Sequence, residues 1–257
     1  MRELFDELAG KSPLDPREAS RKSSRTPLRD RFYKSASVIA AEGGFAVALD
    51  GKPIRTPGKN ALVAPNRELA DAMAVEWNAQ GTSIDPMSMP LTRLANSAID
   101  GVATNAQAVA DDIAKYFGSD LLFYRASFPA ELIAQQARHW DPVLRWAADD
   151  LGAHFILTEG VMHVAQPDQA IAAARVRLPK DAWPVAALHV ATTITGSALL
   201  ALALKEGVLD ASQVWAAAHV DEDWNAEKWG SDGEVELRRA ARLRDFEAAA
   251  LVLKALS

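Results

Sequence analysis

A chain of 257 residues that is 49% hydrophobic and 24% charged can bury a sizeable core and is too apolar to remain disordered. The absence of cysteine excludes disulfides, thiolate nucleophiles and Cys-based metal sites, and a net charge of -6 argues against broad nucleic-acid binding. Residues 1–10 carry Glu3, Asp6 and Glu7 with no apolar run, so no secretory signal is expected. A basic cluster follows: Arg17, Arg21, Lys22, Arg25, Arg29 and Arg31, separated by Ser, Thr and Pro. The reading is a flexible basic tail over 1–30; a nucleic-acid arm or a targeting remnant are the alternatives.

Strand signals begin after Arg31. Residues 35–40 and 45–49 are strand-like runs around Gly43-Gly44, and Asp50-Gly51 is a hairpin turn signal. Residues 54–56 and 61–63 predict two more short strands around Gly58-Lys59-Asn60. Asn66 caps a helix with Leu69, Ala70, Met73, Ala74 and Trp77 on one face. Pro86 and Pro90 mark a connector, and a domain boundary is expected there. The expected fold class is α+β: a small N-terminal antiparallel β domain over 31–90, with one helix, followed by a larger mainly α-helical domain over 91–257.

In the second domain Leu94, Ala98 and Val102 suit one helix, and Val109, Ile113, Tyr116 and Phe117 the next, ended by Gly118. A helix is expected over 129–140, with Asp141-Pro142 restarting or kinking it before it continues to Leu151. Residues 154–157 and 161–165 read as short strands. The run 183–204 is long enough to span a bilayer, yet it holds His189, Thr192, Thr193, Thr195 and Ser197; a buried helix over about 184–205 is the better reading, without membrane insertion. An acidic helix over about 211–229, capped by Asp210 and Gly230, and a last helix over 234–256 complete the chain.

Catalytic signatures are missing. The sequence has no G-x-G-x-x-G, Walker A loop, H-E-x-x-H or G-x-S-x-G; Thr195-Gly196-Ser197 lies within the apolar run. His139, His154, His163, His189 and His219 are scattered, and His219 with Asp223, at i and i+4, could hold a metal, orient a base or simply touch on a helix surface. No active site, metal site or cofactor is expected. What stands out is VDEDWNAEKWG, residues 220–230, where Asp221, Glu222 and Asp223 precede Trp224 and Trp229. At helical spacing Trp215, Ala218, Glu222, Ala226 and Trp229 share a stripe, which would put a carboxylate on an aromatic face. A charge there needs a partner, because leaving water unpaired costs several kcal/mol. Glu222 therefore either meets a cation within the protein or lines a groove that receives one; a well-capped, solvated surface helix is the other reading of the segment.

Several segments, in order, resemble the ATP12 family of F1 ATP synthase assembly chaperones: Arg31-Phe32-Tyr33-Lys34, GGFAVALDGKPIRTP from Gly43, Glu76-Trp77-Asn78-Ala79-Gln80, MPLTRLANSAIDGV from Met89, DLLFYRA from Asp120, HWDPVLRWA from His139 and DEDWNAEKWG from Asp221. The resemblance runs from Arg31 to about Phe246, is closest to the alpha-proteobacterial members and leaves the N-terminal tail outside. It implies a protein without catalytic turnover that binds the free F1 alpha subunit and shields its subunit interface until beta joins. The family's acidic position maps onto Asp221 or Glu222. The partner-binding set it implies is Asp221, Glu222, Asp223, Trp224 and Trp229, with Trp77 as a further candidate whose helical stripe favours a structural role. It implies a monomer when free and a bacterial cytoplasmic location, eukaryotic relatives being mitochondrial. Two rivals carry different expectations: a hydrolase-type enzyme using Asp221 and Glu222 in a groove, and a nucleic-acid binder using the basic arm.

Overall fold

In the computed structural model, which describes residues 28–257, the Asp50-Gly51 pair forms the expected hairpin turn. Both residues sit at positive φ, 48° and 80°, the conformation whose twist matches that of the flanking strands. The described chain falls into two units. The smaller consists of residues 28–32 with Gln80–Asp85, where β1 (Arg29–Asp30) pairs antiparallel with β6 (Ser83–Ile84). In it the Arg29 guanidinium lies 5.0 Å from the Phe32 ring centroid. The rest of the basic arm, residues 17–27, and residues 1–16 lie outside the described residues.

The larger unit, Tyr33–Ala79 with Pro86–Ser257, holds the sheet and all the described helices. β2 (Ala36–Ala41) runs antiparallel to β3 (Gly44–Leu49), with Val38 opposite Val47. The central strand β3 also pairs with β4 (Lys52–Pro53) and β5 (Val63–Ala64). Of the strands expected at 54–56 and 61–63, the first shrinks to the Arg55–Ala61 bridge and the second forms only from its last residue, as β5. A side chain replaces the ladder: the Asp100 carboxylate accepts from Thr56 Oγ1 (2.6 Å), Gly58 N (2.7 Å) and Asn60 Nδ2 (2.8 Å).

Helix α1 (Arg67–Asn78) starts where expected, the Asn66 side chain accepting from Leu69 N at 3.0 Å, and buries Leu69, Ala70, Met73 and Ala74. α2 (Pro90–Ser97) has no capping side chain of its own at Met89. Glu76 on α1 supplies it, accepting from Leu91 N (2.7 Å), Thr92 N (2.8 Å) and Thr92 Oγ1 (2.7 Å). Burial pushes the Glu76 carboxyl up while these three donors pull it down. Glu76→Ala is expected to cost about 2 kcal/mol, read as a lower urea midpoint with an unchanged slope.

Beyond α2 a single π turn (Ala98–Val102) carries the chain to α3 (Ala106–Tyr116). α4 (Ala130–Leu151) is one continuous helix; the restart expected at Asp141-Pro142 does not occur. Gln136, Trp140, Val143 and Ala147 keep one buried face in phase through Pro142. Burying that stripe outweighs the backbone bond that proline removes. The strands expected at 154–157 and 161–165 are also absent. Only β8 (Thr158–Glu159) forms, parallel to β7 (Tyr124–Arg125). At Ile156 the Gln166 amide stands in for a neighbouring strand, accepting from Ile156 N (2.8 Å) and donating to Ile156 O (2.9 Å).

After α5 (Asp168–Arg175) the apolar run is two helices rather than one, α6 (Ala182–Thr195) and α7 (Ala198–Lys205). Gly196, at φ +70°, ends the first, and Ser197 caps the second by accepting from Leu200 N at 3.0 Å. Both helices are buried in the core with Phe117, Phe123, Trp140 and Phe246. No helix among the described residues is long and apolar enough to cross a membrane. The acidic segment is likewise two helices, α8 (Ala211–Ala218) and α9 (Val220–Trp229), followed by α10 (Gly233–Ala255), which packs along α6. The fold is the expected α+β arrangement, short antiparallel strands followed by helices.

Candidate functional site

The elbow between α8 and α9 determines where the acids point. α8 begins with a full capping box between Asp210 and Gln213. It ends at His219, where φ of -116° and ψ of 18° leave the helical region. The buried ring donates from Nδ1 to the Trp215 carbonyl at 2.8 Å and lies 3.9 Å, centroid to centroid, from the Trp215 ring. Burial holds this histidine below its usual pKa, so at neutral pH its free Nε2, 3.8 Å from Glu222, carries no compensating charge. Asp223 is not its partner. Among the described residues no group of three or more potential ligands is placed to hold a metal ion.

α4 latches this elbow from the other side. Trp140, fully buried, donates from Nε1 to the Ala217 carbonyl at 2.7 Å. One turn earlier Gln136, also buried, donates to Asp221 Oδ1 at 2.8 Å while accepting from Ala126 N at 2.8 Å. One side chain therefore ties the chain after β7 to the first turn of α9. Sequence reading passed over Gln136 because an isolated glutamine has no signature.

The three acids separate by role. Asp221 is half-buried and bound to Gln136. Asp223 makes a close ion pair with Arg239 of α10, whose guanidinium lies 5.9 Å from the Trp215 ring centroid and whose pKa that hydrogen bond raises. Glu222 keeps 58% of its side chain exposed, with Arg242 at 3.9 Å, itself donating to the Ile194 carbonyl at 2.6 Å. The expected aromatic stripe is thus divided by the elbow: Trp215 packs against Phe246 in the core, while Trp229 is 81% exposed. Glu222 is not buried on an apolar face.

Between α9 and α10 runs a groove of about 810 Å³, lined by Glu222, Ala226 and Trp229 of α9 and by Val235, Glu236, Arg238 and Arg242 of α10. On the opposite side of α9 a smaller pocket of about 160 Å³ lies against α4, where Trp224 meets Gln135 and His139. The Trp224 Nε1 is buried without a hydrogen-bond partner. Trp77 does not join this set. It is on α1, which packs against β2, β3, α2 and α10, and it meets Tyr33 edge-on at 5.7 Å. The arginines of α10 were missed in the sequence. Their signal is an Arg-rich stretch, residues 238–244, in the helix that follows the acidic one after three intervening residues, close enough along the chain for the two to pair.

The family model described as "ATP12 chaperone protein" matches residues 30–148. The chain is 22% identical over 218 residues to "Protein atp12, mitochondrial" of Schizosaccharomyces pombe, covering 80% of this chain and 75% of that protein. A crystal structure of a protein from Agrobacterium tumefaciens is similar with a TM-score of 0.85 and 51% identity, covering 100% of this chain and 97% of the other. The crystal structure of Atp12 from Paracoccus denitrificans is similar with a TM-score of 0.80 and 42% identity over 88% of this chain and 97% of that one. An aspartate-to-lysine mutant of the Paracoccus protein matches equally well in structure, at 41% identity.

Proposed function

This chain belongs to the ATP12 family of ATP synthase assembly chaperones, and from that premise we propose that it binds the free F1 alpha subunit and shields its subunit interface until beta joins. An unassembled ring subunit exposes apolar surface that promotes aggregation, and covering roughly 800 Å² of it gives specific yet reversible binding. The observation that carries the reading is the side-by-side exposure of Glu222 and Trp229 in the groove between α9 and α10. Glu222 receives a basic group of alpha and Trp229 an apolar one. Asp221 sets the direction of the helix, and Trp224 fills the space against α4. Trp77 is a second, structural contributor. The reading includes no catalytic step, a free monomer and a bacterial cytoplasmic site of action.

The test is complex formation by gel filtration. Wild type is expected to form a one-to-one complex with isolated alpha and none with isolated beta. Glu222→Gln and Trp229→Ala, both at exposed positions, are expected to fold normally and bind alpha at least about tenfold more weakly. Full retention of binding by both variants would move the docking face elsewhere.

A further inference from the structure

The groove beside Glu222 is acidic on its α9 wall and mixed on its α10 wall, where Arg238, Arg239 and Arg242 outnumber Glu236, with Asp232 at the cap, and those cations are not equally engaged. Arg239 is partly buried and paired with Asp223. Arg242 is held by the Ile194 carbonyl and lies near Glu222. Arg238, one turn before Arg242, meets Glu234 at 4.0 Å, with 67% of its own side chain and 71% of its partner's exposed. A surface pair of that kind holds a guanidinium only weakly and leaves its donors open to a stronger acceptor. Trp229 and Val235 lie in the same groove, 81% and 48% exposed. Exposed tryptophan beside arginine is the composition of an interface anchor rather than of an ordinary solvated surface.

We infer that this groove recognises a segment presenting a carboxylate as well as a cation. Arg238 receives the carboxylate from the α10 wall, Glu222 the cation from the α9 wall, and Trp229 an apolar side chain between them. The inference rests on the reading above, in that the segment belongs to the alpha subunit, and it adds the chemistry of that segment. A planar guanidinium fork suits a carboxylate, which it binds through two parallel hydrogen bonds. Charge complementarity selects the occupant: a wholly basic segment satisfies Glu222 but is repelled by the arginines that outnumber Glu236 on the α10 wall, whereas a segment with both charges satisfies both walls.

The two kinds of segment respond to Arg238→Glu with opposite sign, so the full-length chain can be tested directly against isolated alpha. Association is followed by biolayer interferometry at low and physiological salt for wild type, Arg238→Gln and Arg238→Glu, with circular dichroism as the folding control for these exposed substitutions. Binding of Arg238→Glu is expected to be about tenfold weaker than wild type, Arg238→Gln to fall between them, and the gap to narrow as salt screens it. Binding by Arg238→Glu that equals or exceeds wild type would overturn the inference while leaving the functional reading intact. Failure of wild type itself to bind alpha would overturn that reading, and the inference with it.

Discussion

Replacing Asp120 with alanine is expected to lower the free energy of unfolding by about 3 kcal/mol, because two core N–H groups lose their acceptor at once. Asp120 is completely buried; it accepts from Leu122 N at 3.2 Å and from Leu199 N at 3.1 Å. Leu199 lies in the first turn of α7, two residues after Ser197 of the Gly196-Ser197 break that separates this helix from α6. The carboxylate therefore holds two distant segments at the point where the apolar run must change direction. The alanine variant would also leave a cavity among packed leucines, adding to the loss.

The same residue gives the protein a pH signature. Burial pushes the Asp120 carboxyl up to about 6, against the hydrogen bonds from Ser197, Leu199 and Leu122, which favour the anion. With a folded value above the unfolded 3.8, the native state binds this proton first. The associated stability is fully present below the unfolded value and is lost as pH rises through about 6. Urea titrations of wild type and Asp120→Asn between pH 4 and pH 7 isolate the effect. The difference between them is expected to shift by at most about 3 kcal/mol across that window, wild type gaining relative to the variant as pH falls.

The second large effect is expected at Asp221, through position rather than through contact with a partner. Asp221→Leu leaves the buried Gln136 amide without its acceptor, at a cost of about 1–3 kcal/mol, and unfastens α9 from α4. The variant is expected to stay folded, melt a few degrees lower and lose most of its capacity to protect alpha. Glu222→Gln should lose binding without that drop in melting temperature, because its side chain is exposed. Gln136→Glu provides the cross-check. It places a second carboxylate against Asp221, so chaperoning should fail at neutral pH and recover as the medium is acidified and one of the pair takes a proton. Unchanged protection by both Asp221→Leu and Gln136→Glu would mean that the latch does not govern the site.

The residues announced the turns and caps more clearly than the breaks. Asp50-Gly51, Asn66 and Asp210 act through the next few residues of their own chain, so local sequence suffices to place them. The breaks at Gly196 and His219 depend on partners far away: Asp120 receives Leu199 from 79 residues off, and Trp140 reaches Ala217 across 77. Pro142 misled in the other direction, because its local penalty was visible and the burial of Trp140 and Val143 was not. The candidate site was half legible. Acids and tryptophans stood out in 220–230, but their separation into a latched Asp221, a paired Asp223 and an open Glu222 required Gln136, Arg239 and Arg242 from other elements.

The most direct measurement is light scattering by isolated F1 alpha as it aggregates, alone, with this chain at near-stoichiometric ratio, and with Glu222→Gln, beta serving as the control client. Suppression of alpha scattering by wild type, weakened by Glu222→Gln and absent for beta, is the expected result. Undiminished aggregation of alpha in the presence of the folded wild-type chain would contradict the account at its centre.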